Sequence, residues 1–186
     1  MPKLTEEQAM VGLRQIWQDV IGRPKDLEIP NADDNIVDFM RDSRHFDSLD
    51  EVDFVIGMHT FFGEKVTDKD VINWFSGEIR DPFAKNFEQW ERDIKPTLTF
   101  GRLAQWICER ASAPSFAPIN IAGRNCGPAG AFFGIETTVE ELAPGVRFPP
   151  RTPILNRLRG NQLELVWNRL NAYASGGLPD LHFRHR

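Results

Sequence analysis

The chain has 186 residues, 41% of them hydrophobic and 11% aromatic, which suits one domain or a small domain with an appendage. Its formal net charge of -5 argues against general affinity for nucleic acid. No apolar run is long enough to span a bilayer. Residues 1–112 hold 14 Lys and Arg against 22 Asp and Glu, whereas residues 113–186 hold 8 Arg, no Lys and 5 acids. That asymmetry suggests two regions, 1–112 and 113–186, with different jobs, or a basic tail lying on an acidic body. The opening Met1-Pro2-Lys3-Leu4-Thr5-Glu6-Glu7 has no apolar leader segment and turns acidic at once, so a cytoplasmic location is expected.

Thr5-Glu6-Glu7-Gln8 reads as a capping box, with Thr5 as N-cap and Gln8 reaching back. Met10, Leu13, Ile16, Trp17, Val20 and Ile21 follow at helical spacing, and Gly22 and Pro24 end that helix. Residues 23–45 are expected to be a long loop with a short turn around Ile36–Met40. A second helix is predicted from Ser48 to Phe62, with Leu49, Val52, Val55, Ile56, His59 and Phe62 along one side and Gly63 as its stop. Gly57 in its middle should weaken it. Thr67-Asp68 opens a short third helix, Asp70 to Phe75. Residues 76–96 read as an insertion in which Phe83, Phe87 and Trp90 mark an amphipathic helix closed by Pro96. Thr97-Leu98-Thr99 caps a helix from Phe100 to Arg110.

Ala111-Ser112-Ala113-Pro114-Ser115 reads as a linker. Beyond it Gly123, Gly127, Pro128, Gly130 and Gly134 predict irregular chain up to a helix at Gln162–Tyr173. The basic end, His182 to Arg186, is expected to fray. A partial repeat is also legible: Leu27-Glu28-Ile29-Pro30 and Val146-Arg147-Phe148-Pro149 each precede a Leu/Val-rich helix, followed by Gly63 in one case and Gly176-Gly177 in the other. The second copy has no Ser near Asn161-Gln162-Leu163, so the extension reads as a degenerate partial repeat.

The stretch Phe46-Asp47-Ser48-Leu49-Asp50-Glu51-Val52-Asp53 places one hydroxyl at the start of an acidic helix. Free backbone N–H groups and the positive end of the helix dipole make such a place suited to a phosphate. Asp47-Ser48-Leu49-Asp50 resembles the attachment motif of acyl carrier proteins, and the resemblance covers about residues 5–110. It implies an all-α, four-helix bundle carrying an inserted helix, with a mostly irregular or helical C-terminal extension. It implies a 4′-phosphopantetheine arm, taken from coenzyme A, on Ser48, with Asp47 and Leu49 framing the site. It implies acyl groups carried as thioesters, no catalysis by the chain itself, and no resident metal. The partners it implies are a phosphopantetheinyl transferase and acyl-transferring or acyl-activating enzymes, with Asp50, Glu51 and Asp53 meeting their basic patches. Where the family usually has Gly, two residues before the Asp-Ser pair, this chain has His45.

Two other readings stand beside this one. The carrier-like fold could serve as an unmodified protein–protein interaction module, and Ser48 could be a plain N-cap in an unrelated helical domain. A small enzyme using His45 or Cys126 has less behind it, because no GxSxG elbow and no orienting partner can be assigned from sequence. Cys108 and Cys126 read as a buried thiol and a loop thiol, because no CxxC or His cluster accompanies them.

Overall fold

The computed structural model describes residues 3–22, 24, 26–63, 65–77, 87–147, 149, 151, 153, 157, 158, 160–174 and 178, with Ser48 described by its backbone alone. Phe83, Phe148, Gly176-Gly177 and the His182–Arg186 end lie outside these residues. The described chain is mostly helical and divides into two compact units, Leu4–Ala111 and Ser112–Arg186 with Met1–Lys3.

In the first unit, α1 (Glu6–Ile21) starts on the capping box that the sequence predicts: Thr5 accepts from the Gln8 N–H, and Gln8 accepts from the Thr5 N–H. It stops at Gly22, whose left-handed φ of 78° suits glycine. The buried face of α1 packs against α3 (Ser48–Phe62) and α6 (Phe100–Arg110), while α3 also packs against α4 (Asp68–Ser76). Thr67 and Thr99 cap α4 and α6. The long loop holds a true helix, α2 (Ile36–Asp42), capped by Asn35. Its entry is fastened to the start of α6: the Ile36 N–H donates to Leu98 O at 2.8 Å and the Gly101 N–H to Ala32 O at 2.8 Å. In the insertion, α5 (Phe87–Asp93) leads into a 3-10 turn, Lys95–Thr97.

The buried side of α3 differs from the expected one. Phe54, Met58, Phe61 and Phe62 enter the core, whereas Leu49, Val52 and Ile56 are 72%, 56% and 48% exposed. Only Phe62 of the expected stripe is buried, with Val55 and His59 halfway. Apolar residues surround this helix, so two stripes satisfy helical spacing. The larger side chains take the core because they remove more apolar area from water. Gly57 has a packing reason: a Cβ there would lie 2.7 Å from Ile16 Cγ2, so its absence lets α3 approach α1.

The second unit corrects the expectation of irregular chain after the linker. Strands β1 (Ile119–Ile121) and β2 (Arg124–Cys126) form an antiparallel hairpin around Ala122-Gly123, both at positive φ. Such a two-residue turn twists in the sense the strands require. The chain then enters α7 (Gly127–Leu142), with Pro128 in its first turn where a missing N–H costs nothing. Gly130 and Gly134 serve close approach: a Cβ on Gly130 would run into the Ala117 carbonyl, and one on Gly134 would lie 2.5 Å from the Phe116 ring. Val139 and Ala143 pack with Leu158, and with Val166 and Leu170 of α8 (Asn161–Tyr173). Inside this unit Arg169 is buried and donates to the Glu141 carboxylate at 3.1 Å. It also hydrogen-bonds the Tyr173 hydroxyl.

Two outcomes follow from this packing. Gly130→Ala forces a methyl group against backbone and should lower the stability of the second unit by about 1–3 kcal/mol, read as a fall in denaturation midpoint. An unchanged midpoint contradicts the packing. Tyr173 is the chain's sole tyrosine, so phenolate absorbance reports on it alone. Burial is the main cause that pushes its hydroxyl up to about 12, against the opposing pull of Arg169. The folded state therefore holds this proton more tightly than the unfolded chain, and stability falls as pH rises from about 10 toward 12. The folded protein should show little phenolate near pH 10, whereas the denatured chain should be half ionised. Half ionisation near pH 10 with the fold intact would contradict it.

Candidate functional site

The turn into α3 is held from behind by Trp17. Its indole stacks on Phe46 at 5.3 Å and 19°, meets Phe54 and Phe39 edge-on, and donates its N–H to Glu28 O at 3.0 Å. Phe46 is thereby fixed, and the chain turns into the helix at the next residue. Asp47 is the N-cap: its Oδ1 accepts from the Leu49 N–H at 2.7 Å and the Asp50 N–H at 3.3 Å. Asp50 returns the contact, its Oδ2 accepting from the Asp47 N–H at 2.8 Å. Ser48 is thus the first residue of the helix and not its cap, which corrects the plain N-cap alternative.

The other residues singled out from sequence fall around this start. Leu49, Glu51 and Asp53 are exposed. Asp50 is half-buried, and its carboxylate is engaged in the capping box rather than turned wholly to solvent. Leu49, Val52 and Ile56 form an apolar line at i, i+3 and i+7 on the outer side of α3, interleaved with these acids.

Beside the turn lies a cleft of about 650 Å³, within the range that accepts small organic ligands. Asp47 and Glu51 border it. One wall comes from Phe46 and Phe54, both backed by Trp17, and from Val37 and Met40 of α2. Another wall comes from Ile72 and Phe75 of α4 and from Phe87 and Trp90 of the inserted α5. Trp90 stacks with Phe87 at 5.9 Å and 23°, and donates its N–H to Phe75 O at 2.9 Å, which ties α5 to α4. The only guanidinium on the cleft, among the described residues, is Arg41, and it is held by Asp38 at 3.0 Å and Asp42 at 2.9 Å. The pair with Asp42 raises the pKa of Arg41 and lowers that of Asp42. The opposite face of α4, at Asp70, Asn73 and Trp74, borders a second cavity of about 500 Å³ with Arg102 and Trp106.

The sequence marks Phe87 and Trp90 as the apolar side of an inserted helix but gives no sign of the cleft that they line. The signal available was their i, i+3 spacing in a segment otherwise rich in charge. Phe46, Phe54 and Phe75 gave none, because they come together only in the fold.

The candidate nucleophiles and bases sit elsewhere or are otherwise engaged. His45 Nε2 lies 3.3 Å from Asp26 Oδ1 on the surface, an orienting partner that sequence could not assign. His59 Nδ1 donates to Val66 O at 3.1 Å, as a helix-packing residue does. Cys126 is half-buried at the junction of β2 and α7. Among the described residues no three His, Cys, Asp or Glu side chains are placed to hold a metal ion, and no helix is long and apolar enough to cross a membrane. Comparisons with family models, with curated proteins and with solved structures return no match to this chain.

Cys108 gives a direct check on the packing of α6 against α1. Burial first, and then the carboxylate of Glu6, push its thiol up to about 11. At pH 8 only about one Cys108 in a thousand is thiolate, the reactive form. Its alkylation by iodoacetamide, followed by peptide mass mapping, should be slow at pH 8 and rise about tenfold per pH unit toward 11. Alkylation at pH 8 as fast as that of a small free thiol would contradict this environment.

Proposed function

We propose that residues 4–111 form an acyl-carrier-like domain and that Ser48 bears a 4′-phosphopantetheine arm. In this reading α1, α3, α4 and α6 are the four helices of the carrier bundle, α2 lies within its long loop, and α5 is an addition. The observation that carries the reading is the capped start of α3. Asp47 does the capping, which leaves Ser48 at the first helical position, where first-turn N–H groups and the helix dipole favour a phosphodiester. The arm's thiol would carry the thioester chemistry, and the protein would supply placement.

The outer side of α3 supports the same reading. Glu51 and Asp53 stand exposed beside Leu49, Val52 and Ile56, a mixed surface that complementary basic and apolar patches on a partner could match. Charge of this kind steers encounter and selects the partner, and the apolar residues add area. The transferase and the acyl-transferring or acyl-activating enzymes are the partners proposed for it. That same surface would also serve an unmodified interaction module, which is the second reading.

The two are separated by the mass of the intact protein after incubation with coenzyme A and a broad-specificity phosphopantetheinyl transferase. The carrier reading expects one phosphopantetheinyl group on the wild type and none on Ser48→Ala. No gain on the wild type, or an equal gain on Ser48→Ala, overturns it and leaves the interaction module.

A further inference from the structure

We propose that the cleft beside Ser48 is selective for an aryl group attached to a neutral or cationic head, and that inserted helix α5 is the wall that makes it so. Taken with the carrier reading, on which this part rests, the cargo is an aryl-bearing acyl or aminoacyl group. A simple alkyl chain is the cargo excluded.

The lining decides the class of the buried part. Phe46, Phe54, Phe75, Phe87 and Trp90 line the cleft. Both groups of rings are tied into the fold. Trp17 holds the first pair from behind, and the hydrogen bond from Trp90 to Phe75 O holds the second. An aromatic guest in such a cleft gains offset-stacked and edge-to-face contacts that an aliphatic group of the same shape does not make.

The border decides the head. Glu51 is an exposed carboxylate at the cleft, the Asp47 carboxylate beside it is engaged as the cap of α3, and Arg41 is paired with Asp42 and with Asp38, which also meets Lys95. The Glu51 carboxylate, one turn beyond the start of α3, repels a carboxylate that reaches it and attracts an ammonium. A thioester-linked group is neutral at that point, and an aminoacyl group adds the ammonium.

The test uses the unmodified full-length chain and small probes, with dissociation constants from calorimetry. 2-Phenylethylamine, 2-cyclohexylethylamine and 3-phenylpropionate vary the ring and the charge separately. The cyclohexyl compound is the more hydrophobic of the two amines, so a merely apolar cleft binds it at least as well. Aryl selectivity expects the phenyl amine to bind about two- to tenfold tighter than the cyclohexyl amine, and tighter than the phenyl carboxylate. Phe87 is 46% exposed on α5, so Phe87→Leu leaves the core intact and should weaken the ring preference, with Phe46, Phe54, Phe75 and Trp90 retaining part of it. Glu51→Gln should narrow the difference between the amine and the carboxylate. Equal or tighter binding of the cyclohexyl amine overturns the proposal. So does a ring preference left undiminished in Phe87→Leu, or the absence of saturable binding. A chain that takes the arm on Ser48 yet shows no ring preference loses this inference and keeps the carrier reading. A chain with the ring preference and no mass gain keeps an aryl-amine site and loses the carrier.

Discussion

The first unit depends on Trp17. It is fully buried, its ring meets Phe39, Phe46 and Phe54, and its N–H is satisfied by Glu28 O. A side chain of this size, replaced by alanine, typically costs about 3–5 kcal/mol, a large part of the 5–15 kcal/mol that holds a domain together. Its partners matter as much as its area. Glu28 and Phe39 belong to the long segment between α1 and α3, and Phe46 is the residue just before the Asp47 cap. One indole therefore anchors the loop, docks α2 and sets the point at which α3 begins.

From that anchor the asymmetry of α3 follows. Its inner side is committed to α1, with Gly57 allowing Ile16 close approach. Phe54, Met58, Phe61 and Phe62 fill the space so gained. Leu49, Val52 and Ile56 are left outside with Glu51 and Asp53, so this helix presents apolar and acidic groups together to solvent. Its N-terminus is fixed at the edge of the aromatic cleft. The insertion then acquires a physical role, because Phe87 and Trp90 of α5 join α2, α3 and α4 in lining the cleft.

How far the sequence carries depends on how local the cause is. The starts of α1, α4 and α6 are legible because each rests on a threonine and residues within four positions of it. The turn at Asp47-Ser48 is legible for the same reason. The buried side of α3 is not, since Leu49-Val52-Ile56 and Phe54-Met58-Phe61 both satisfy helical spacing and only the fit against α1 chooses between them. α7 is hidden by Gly127, Gly130 and Gly134, which suggest loop until Ala117 and Phe116 are seen to lie against the last two. Phe132, Ile135, Val139 and Leu142 nonetheless carry a helical period that composition masks. The hairpin turn uses Ala-Gly, a weaker signal than Asn-Gly. The cleft is the least legible feature of all, being assembled from α2, α3, α4, α5 and the loop that ends at Phe46.

The most direct test of a carrier role for this site is the mass of the chain isolated from its own cells, with fragmentation that locates any added group. A carrier gives a population bearing one phosphopantetheinyl group on Ser48, with or without an acyl cargo attached. A chain found wholly unmodified in growing cells, or modified at a residue other than Ser48, contradicts that role.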